Sequence, residues 1–301
     1  MFKSGFVAVI GRPNSGKSTL INALVGKKVT ITSHHPNTTR NAIRAILHTD
    51  SYQAVLVDTP GIHKPQTTLG NQLNAIARDS TDSVDIVLFT IAANEKVGKG
   101  DNFVARSIAE SSSARRFCIV TKIDTVSKDR ILTALAEAAK LAQDNGFTWD
   151  EIIPVSAIKG EQVWILADLI ERNLPEGPAY YPKETLVDLE IGEQISELIR
   201  EATIAGTLQE LPHSIAVVVN EVTERSDQLT AIDATIFVER DSQKGIIVGR
   251  AGENIKAIGS AVRPALETLM GKKIHLGLNV SVASNWQGDA KALKKFGIVK
   301  D

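Results

Sequence analysis

Cysteine occurs once in the 301 residues, at Cys118, so no disulfide can form within the chain and a reducing compartment suits it. The surrounding run Arg116-Phe117-Cys118-Ile119-Val120 makes it a small buried hydrophobe rather than a reactive thiol. Long apolar runs are missing as well. No stretch approaches the roughly 18 apolar residues of a membrane span. No targeting segment is expected before a first core strand that begins by Phe6. A cytoplasmic protein is the expectation. Charge excess is also absent: the net charge of −1 names no partner by itself. What is present is ordinary for a soluble globular protein, 43% hydrophobic and 23% charged, with length for one large or two medium domains.

The sequence is organised around Gly11-Arg12-Pro13-Asn14-Ser15-Gly16-Lys17-Ser18, followed by Thr19. It fits G-x-x-x-x-G-K-[ST], a loop whose backbone N–H groups wrap nucleotide phosphates. Phe6 to Ile10 reads as a buried strand before it, and Thr19 to Val25 as a helix after it, with Gly26 as the stop. Strand, loop and helix together place positive helix-end charge and the loop amides on an anion. Lys17 would then reach the β- and γ-phosphates and Ser18 would ligate Mg²⁺.

Thr30 to Asn41 is a polar loop carrying His34 and His35, read as solvated rather than metal-binding for want of further ligands. Strands 42–49 and 52–57 suggest a hairpin. Strands at 85–92, 116–121 and 151–155 then alternate with helices at 100–111, 127–145 and 161–173. Such alternation predicts βαβ crossovers, a mostly parallel sheet and ligands at the carboxyl ends of its strands. Three prolines and a glycine punctuate 174–182, which sets expected boundaries: a nucleotide domain over 1–174, a linker over 175–184 and a second domain over 185–301.

Short motifs sit at the predicted strand ends. Asp58-Thr59-Pro60-Gly61 offers a carboxylate for Mg²⁺ and a glycine N–H for a γ-phosphate. Thr39, with Thr38 as the weaker choice, would complete the metal set Ser18, Thr39 and Asp58 from a loop that senses the γ-phosphate. Thr121-Lys122-Ile123-Asp124 places a carboxylate that can accept two hydrogen bonds from guanine, with the Lys122 stem along the base. Ser156-Ala157-Ile158 could present an amide to guanine O6. The catalytic set stays open among Asn14, Thr39 and Gly61. Ile62 cannot orient water, and Asn14 is either a K⁺ ligand or a loop-shaping residue. His63 is a poor candidate base, because phosphoryl transfer depends mainly on positioning and charge.

The second half reads helix (189–204), strand (214–222), strand (230–239), helix, turn, helix, strand (273–283). Its turn, Gly249-Arg250-Ala251-Gly252, is a G-x-x-G loop suited to close approach of a nucleic-acid backbone, the signature of a type II KH domain in this order of elements. Ten basic residues against four acidic ones from 243 to 301, after thirteen acidic against four basic from 183 to 242, polarise the domain. Lys244, Arg250, Lys256 and the loop residues are the candidate RNA contacts, with Trp286 as a stacking platform.

The whole chain resembles the Era family of GTPases, a Ras-like domain followed by a type II KH domain. The likeness rests on residues 11–19, Thr38-Thr39-Arg40, Asp58-Thr59-Pro60-Gly61-Ile62-His63, Glu210-Leu211-Pro212-His213-Ser214 and Gly249-Arg250-Ala251-Gly252. It implies GTP and GDP as ligands with Mg²⁺, binding of the 3′ end of 16S rRNA and of the 30S subunit, and a role in small-subunit maturation. It also implies loose association with the inner face of the membrane. A monomer is expected. Two departures stand out: Thr121 replaces an asparagine that would anchor the phosphate loop, and the last strand lacks a bulky aromatic and a lysine. The competing readings are an RNA-binding scaffold with a structural nucleotide site, and a recruitment GTPase for membrane or protein.

Overall fold

The computed structural model describes residues 1–32, 39–65, 67–81, 83–109, 114–206 and 214–298. Residues Thr38, His34, His35, 210–213 and the end of the helix expected over 100–111 lie outside them. The chain divides into two compact units: the first takes in most residues up to Asp188, and the second runs from Leu189 onward and also takes in Thr67–Leu69.

In the first unit, β1 (Lys3–Gly11), β2 (Ile43–His48), β3 (Tyr52–Asp58), β4 (Ile86–Ala92), β5 (Arg115–Thr121), β6 (Glu151–Pro154) and β7 (Val187–Asp188) form one sheet. Its order is β6-β5-β4-β1-β3-β2-β7. Pairings from β6 to β3 are parallel, whereas β2 runs antiparallel to both β3 and β7. All seven residues of β4 are buried, as expected of a central parallel strand covered on both faces. One core cluster, with Val9, Leu20, Leu56, Leu88 and Ile119, forms on one side of the alternation. A second, with Ile10, Phe89, Val104, Cys118 and Leu141, takes the residues pointing the other way. Burying a ring such as Phe89 contributes roughly 1.5–3 kcal/mol. Helices α1 (Lys17–Val25), α2 (Thr68–Asp79), α3 (Lys99–Ala109), α4 (Lys128–Asp144) and α5 (Val163–Asn173) supply the connections. Helix α2 escaped the sequence reading, although Leu69, Leu73 and Ala77 are buried at a spacing of four; Gly70 and two asparagines dilute that signal.

The proline-punctuated segment after α5 is hydrogen-bonded back onto the first unit. Ser4 N–H donates to the Pro175 carbonyl at 3.0 Å and Ser4 Oγ to the Pro178 carbonyl at 2.6 Å. Buried Gln53 accepts from both Tyr180 and Tyr181 N–H and donates to the Tyr181 carbonyl. The segment then closes as β7, where Asp188 pairs with Arg44 and accepts from the Tyr181 hydroxyl at 2.7 Å.

The second unit runs α6 (Ile191–Ala205), β8 (Ala216–Ser226), β9 (Leu229–Val238), α7 (Asp241–Val248), α8 (Glu253–Met270), β10 (Lys273–Val282) and α9 (Ala290–Lys295). Its sheet has the order β10-β9-β8, with β9 parallel to β10 and antiparallel to β8. Alternating burial along β9 turns Ile232, Ala234, Ile236 and Val238 toward Ile195, Ile199, Ile258 and Leu266 of α6 and α8.

Candidate nucleotide site and nucleic-acid interface

The phosphate loop spans the turn from β1 to α1. Gly16 caps α1 at φ 92° and Asn14 sits at φ 63°, left-handed conformations that glycine and asparagine tolerate. That backbone conformation is the loop-shaping role open to Asn14. Lys17 is buried, and its Nζ donates to the Arg12 carbonyl at 2.9 Å and the Gly11 carbonyl at 3.3 Å. Burial pulls its ammonium down to about 8, with the charge of Asp58 acting in the opposite direction. The Arg12 guanidinium is occupied by Glu95 at 2.6 Å and by buried Asp101 at 2.8 Å, so only its backbone belongs to the loop's inner lining.

The three expected metal ligands converge. Ser18 Oγ donates to Asp58 Oδ2 at 2.8 Å, and Thr39 Oγ1 lies 3.2 Å from Ser18 Oγ and 3.3 Å from Asp58 Oδ2. They come from the start of α1, the loop before β2 and the end of β3. An all-oxygen set of two hydroxyls and a carboxylate suits Mg²⁺, a hard cation that keeps several waters. Among the described residues no cluster of His, Cys, Asp and Glu offers another metal centre.

Beyond Asp58 the chain is zipped onto β1: Thr59 Oγ1 donates to the Val9 carbonyl at 2.7 Å and Ile62 N–H to the Gly11 carbonyl at 3.1 Å. Gly61 passes so close to the phosphate loop that a Cβ there would stand 2.6 Å from the Pro13 nitrogen. Ile62 is 1% exposed and packs in the second core cluster, which removes it from any contact with water. His63 is tied at its backbone to Asn74, whose amide donates to the His63 carbonyl at 2.7 Å. Asn74 stands on α2, the helix the sequence reading missed.

At the base end, Ser156 Oγ donates to Asp124 Oδ1 at 2.7 Å and accepts from Lys159 N–H. This aims the carboxylate by one of its two oxygens. Lys122 adopts φ 58°, turning its peptide at the strand end. Ala157 is half-buried and Ile158 is 78% exposed. The anchoring bond expected to be lost with asparagine is made after all. Thr121 Oγ1 donates to the Ser15 carbonyl at 2.6 Å, because a β-branched hydroxyl at the end of β5 reaches the loop directly. Thr90 on β4, which the sequence reading passed over inside an apolar run, meets Ser15 Oγ at 2.5 Å.

In the second unit, the G-x-x-G turn joins α7 to α8. Gly249 sits at φ 72°, where a Cβ would stand 2.9 Å from the Asn254 nitrogen, and Ala251 is left-handed at φ 52°. Asn254 Nδ2 donates to the Ile246 carbonyl at 2.8 Å and closes the turn. Lys244, Arg250 and Lys256 are exposed around it, and the apolar Ile246 is 46% exposed beside it. Trp286 corrects the sequence reading. It is 1% exposed, donates from Nε1 to the Ser214 carbonyl at 3.1 Å and meets the Phe296 ring edge-on at 5.3 Å. An indole with so much apolar area gains more from burial than from a wet platform; no base can stack on it.

A phosphate-loop motif between β1 and α1 and three converging oxygen side chains on a mostly parallel sheet, together with a G-x-x-G unit, define a P-loop GTPase joined to a KH domain. Residues 6–122 match the family model for 50S ribosome-binding GTPases, and residues 210–287 match the KH domain model. The chain is 49% identical over 299 residues to the GTPase Era of Mycobacterium avium, covering 98% of this chain and 99% of that one. It is 46% identical over 300 residues to its Mycobacterium tuberculosis counterpart. It also matches a crystal structure of Era in complex with MgGDPNP and nucleotides 1506–1542 of 16S ribosomal RNA, with a TM-score of 0.94 at 32% identity and full coverage of both chains. An Aquifex aeolicus Era variant bound to GDP and aluminium fluoride matches at a TM-score of 0.93 and 32% identity, covering 99% of this chain and 100% of that one. The chain belongs to the Era family of GTPases.

Proposed function

We propose that this protein is a GTP-hydrolysing switch that binds the 3′ end of 16S rRNA and the 30S subunit during small-subunit maturation. The observation that carries the reading is one chain holding both machineries: Ser18, Thr39 and Asp58 converge beside Lys17, and an exposed Arg250 loop lies in a separate unit. The likeness to an Era structure holding both MgGDPNP and 16S rRNA supports it. In this reading Gly11 to Thr19 wrap the phosphates, Asp124 and the Ala157 amide read guanine, and Ser18, Thr39 and Asp58 hold Mg²⁺. The metal neutralises developing charge between the phosphates. Lys244, Lys256 and the residues 249–252 carry RNA. Asn14 is the candidate K⁺ ligand, standing in for the missing water-orienting side chain at Ile62. No helix among the described residues is long and apolar enough to cross a membrane, and a cytoplasmic location is part of the proposal.

The test is binding of a short RNA matching the 3′ end of 16S rRNA, with a non-hydrolysable GTP analogue and with GDP. Tighter binding in the GTP form is expected. Equal binding in both forms removes the coupling, and no binding in either overturns the RNA reading.

A further inference from the structure

Ser15 is gripped from beneath by the two strands under the phosphate loop. Thr121 on β5 holds its carbonyl at 2.6 Å and Thr90 on β4 holds its hydroxyl at 2.5 Å. All three side chains are buried, with Thr90 at 0% exposure, Thr121 at 2% and Ser15 at 4%. Ser15 Oγ in turn donates to the Arg12 carbonyl at 2.8 Å, the same oxygen that receives Lys17 Nζ at 2.9 Å.

The two hydroxyls have one proton each but three oxygen contacts to serve: each other, the Arg12 carbonyl and, from Thr90, the Ile10 carbonyl at 3.1 Å. The shorter contacts select one arrangement, in which Thr90 donates to Ser15 and Ser15 donates to Arg12. The order of bonds is then Thr90 to Ser15 to the Arg12 carbonyl to Lys17. Thr121 acts on the other side of the same residue. A trans peptide points its C=O and N–H in opposite directions. With the Ser15 carbonyl drawn down onto Thr121, the Gly16 N–H of that peptide is aimed away from the sheet.

We propose that Thr90 is a positioning residue of the nucleotide site: through the Ser15 hydroxyl it holds the carbonyl that carries Lys17, and so sets where that ammonium meets the β-phosphate. Its partner Thr121 sets the Gly16 amide through the Ser15 carbonyl. The inference rests on the guanine-nucleotide reading of this site, and its test separates the two.

Affinities for GDP and GMP are measured on the full chain by displacement of a fluorescent guanine nucleotide. The variants are Thr90→Val, Thr90→Ser, Ser15→Ala and the double Thr90→Val/Ser15→Ala. Lys17 addresses the β-phosphate, so Thr90→Val is expected to weaken GDP about tenfold, the effect of one buried hydrogen bond, and to leave GMP unchanged. Thr90→Ser keeps the donor and restores GDP affinity. The double variant is no weaker than Ser15→Ala, because both substitutions remove the same bond. Unchanged GDP affinity in Thr90→Val, an equal loss for GMP and GDP, or additive losses in the double variant would each overturn the inference. If Thr90→Val fails to fold, the comparison of Ser15→Ala with wild type on GDP against GMP carries the test, and an equal loss for both ligands overturns it. Failure of wild-type protein to bind GDP would overturn the nucleotide reading instead.

Discussion

Ser156 and Asp124 meet at 2.7 Å, the hydroxyl of one loop holding the carboxylate of another at the carboxyl ends of adjacent strands β6 and β5. Ser156 is fully buried and held in turn by Lys159 N–H, so the pair forms a preset hydrogen-bonding edge. Asp124→Asn reverses one half of that edge, replacing an acceptor by a donor. GTP affinity is expected to fall by roughly a hundredfold while XTP affinity rises. Ser156→Ala leaves the carboxylate in place but unaimed, weakening GTP about tenfold without admitting XTP. Competition between GTP and XTP for a fluorescent GDP reads both, and unchanged selectivity in Asp124→Asn sinks the base-reading assignment.

Gly61 has no room for a side chain beside Pro13. Gly61→Ala must push either the phosphate loop or the Asp58 segment aside, a strain of about 1–3 kcal/mol. The loss should fall more on a GTP analogue than on GDP, because Gly61 is the amide assigned to the γ-phosphate. Equal loss for both ligands would mean that the contact serves the fold alone.

Lys17 sets a pH dependence. In the free protein its ammonium loses its proton at about 8, and a bound polyphosphate favours the charged form. Affinity for GDP is therefore expected to hold below pH 8 and to fall as pH rises through it. Near pH 8, binding should take up about half a proton per nucleotide. Calorimetry in buffers of different ionisation enthalpy measures that uptake, and none at all would place the lysine's proton loss elsewhere. The same lowered value works the other way on folding. Between pH 8 and the ordinary lysine range the unfolded chain binds more protons, so this group makes the nucleotide-free protein more stable as pH rises.

Arg250→Glu should weaken 16S rRNA binding across sequences and reduce the salt slope by about 1 or more. Trp286→Ala should behave differently. It opens a cavity under Phe296 and costs about 3–5 kcal/mol of stability, seen as a lower unfolding midpoint of the second unit. At temperatures where the variant is folded, its RNA salt slope should match that of wild type.

The nucleotide site was legible because its chemistry is written in short, contiguous motifs at strand ends, and the structure brings Ser18, Thr39 and Asp58 within hydrogen-bonding distance. What could not be read was partnership across the sheet. Thr90 sits in Ile-Val-Leu-Phe-Thr-Ile-Ala, where a threonine looks like one more β-former, and only the register of β1 against β4 puts it under Gly11. Thr121 looked like a loss because sequence shows which atom is missing but not which neighbouring atom has moved into reach. Trp286 misled for a similar reason, since an aromatic after the last strand of an RNA-binding unit reads the same whether it faces solvent or Phe296.

The short strand β7 carries a practical meaning for anyone dividing this protein. Val187 and Asp188 cover the outer rim of β2, and Gln53 and Arg44 satisfy their polar groups on the strap that leads to it. A catalytic fragment cut at the prolines would bare the backbone of β2 as an unprotected edge, open to pairing with the same edge of another copy. Cut after Asp188 instead, the fragment keeps its own selvedge and has no such reason to self-associate.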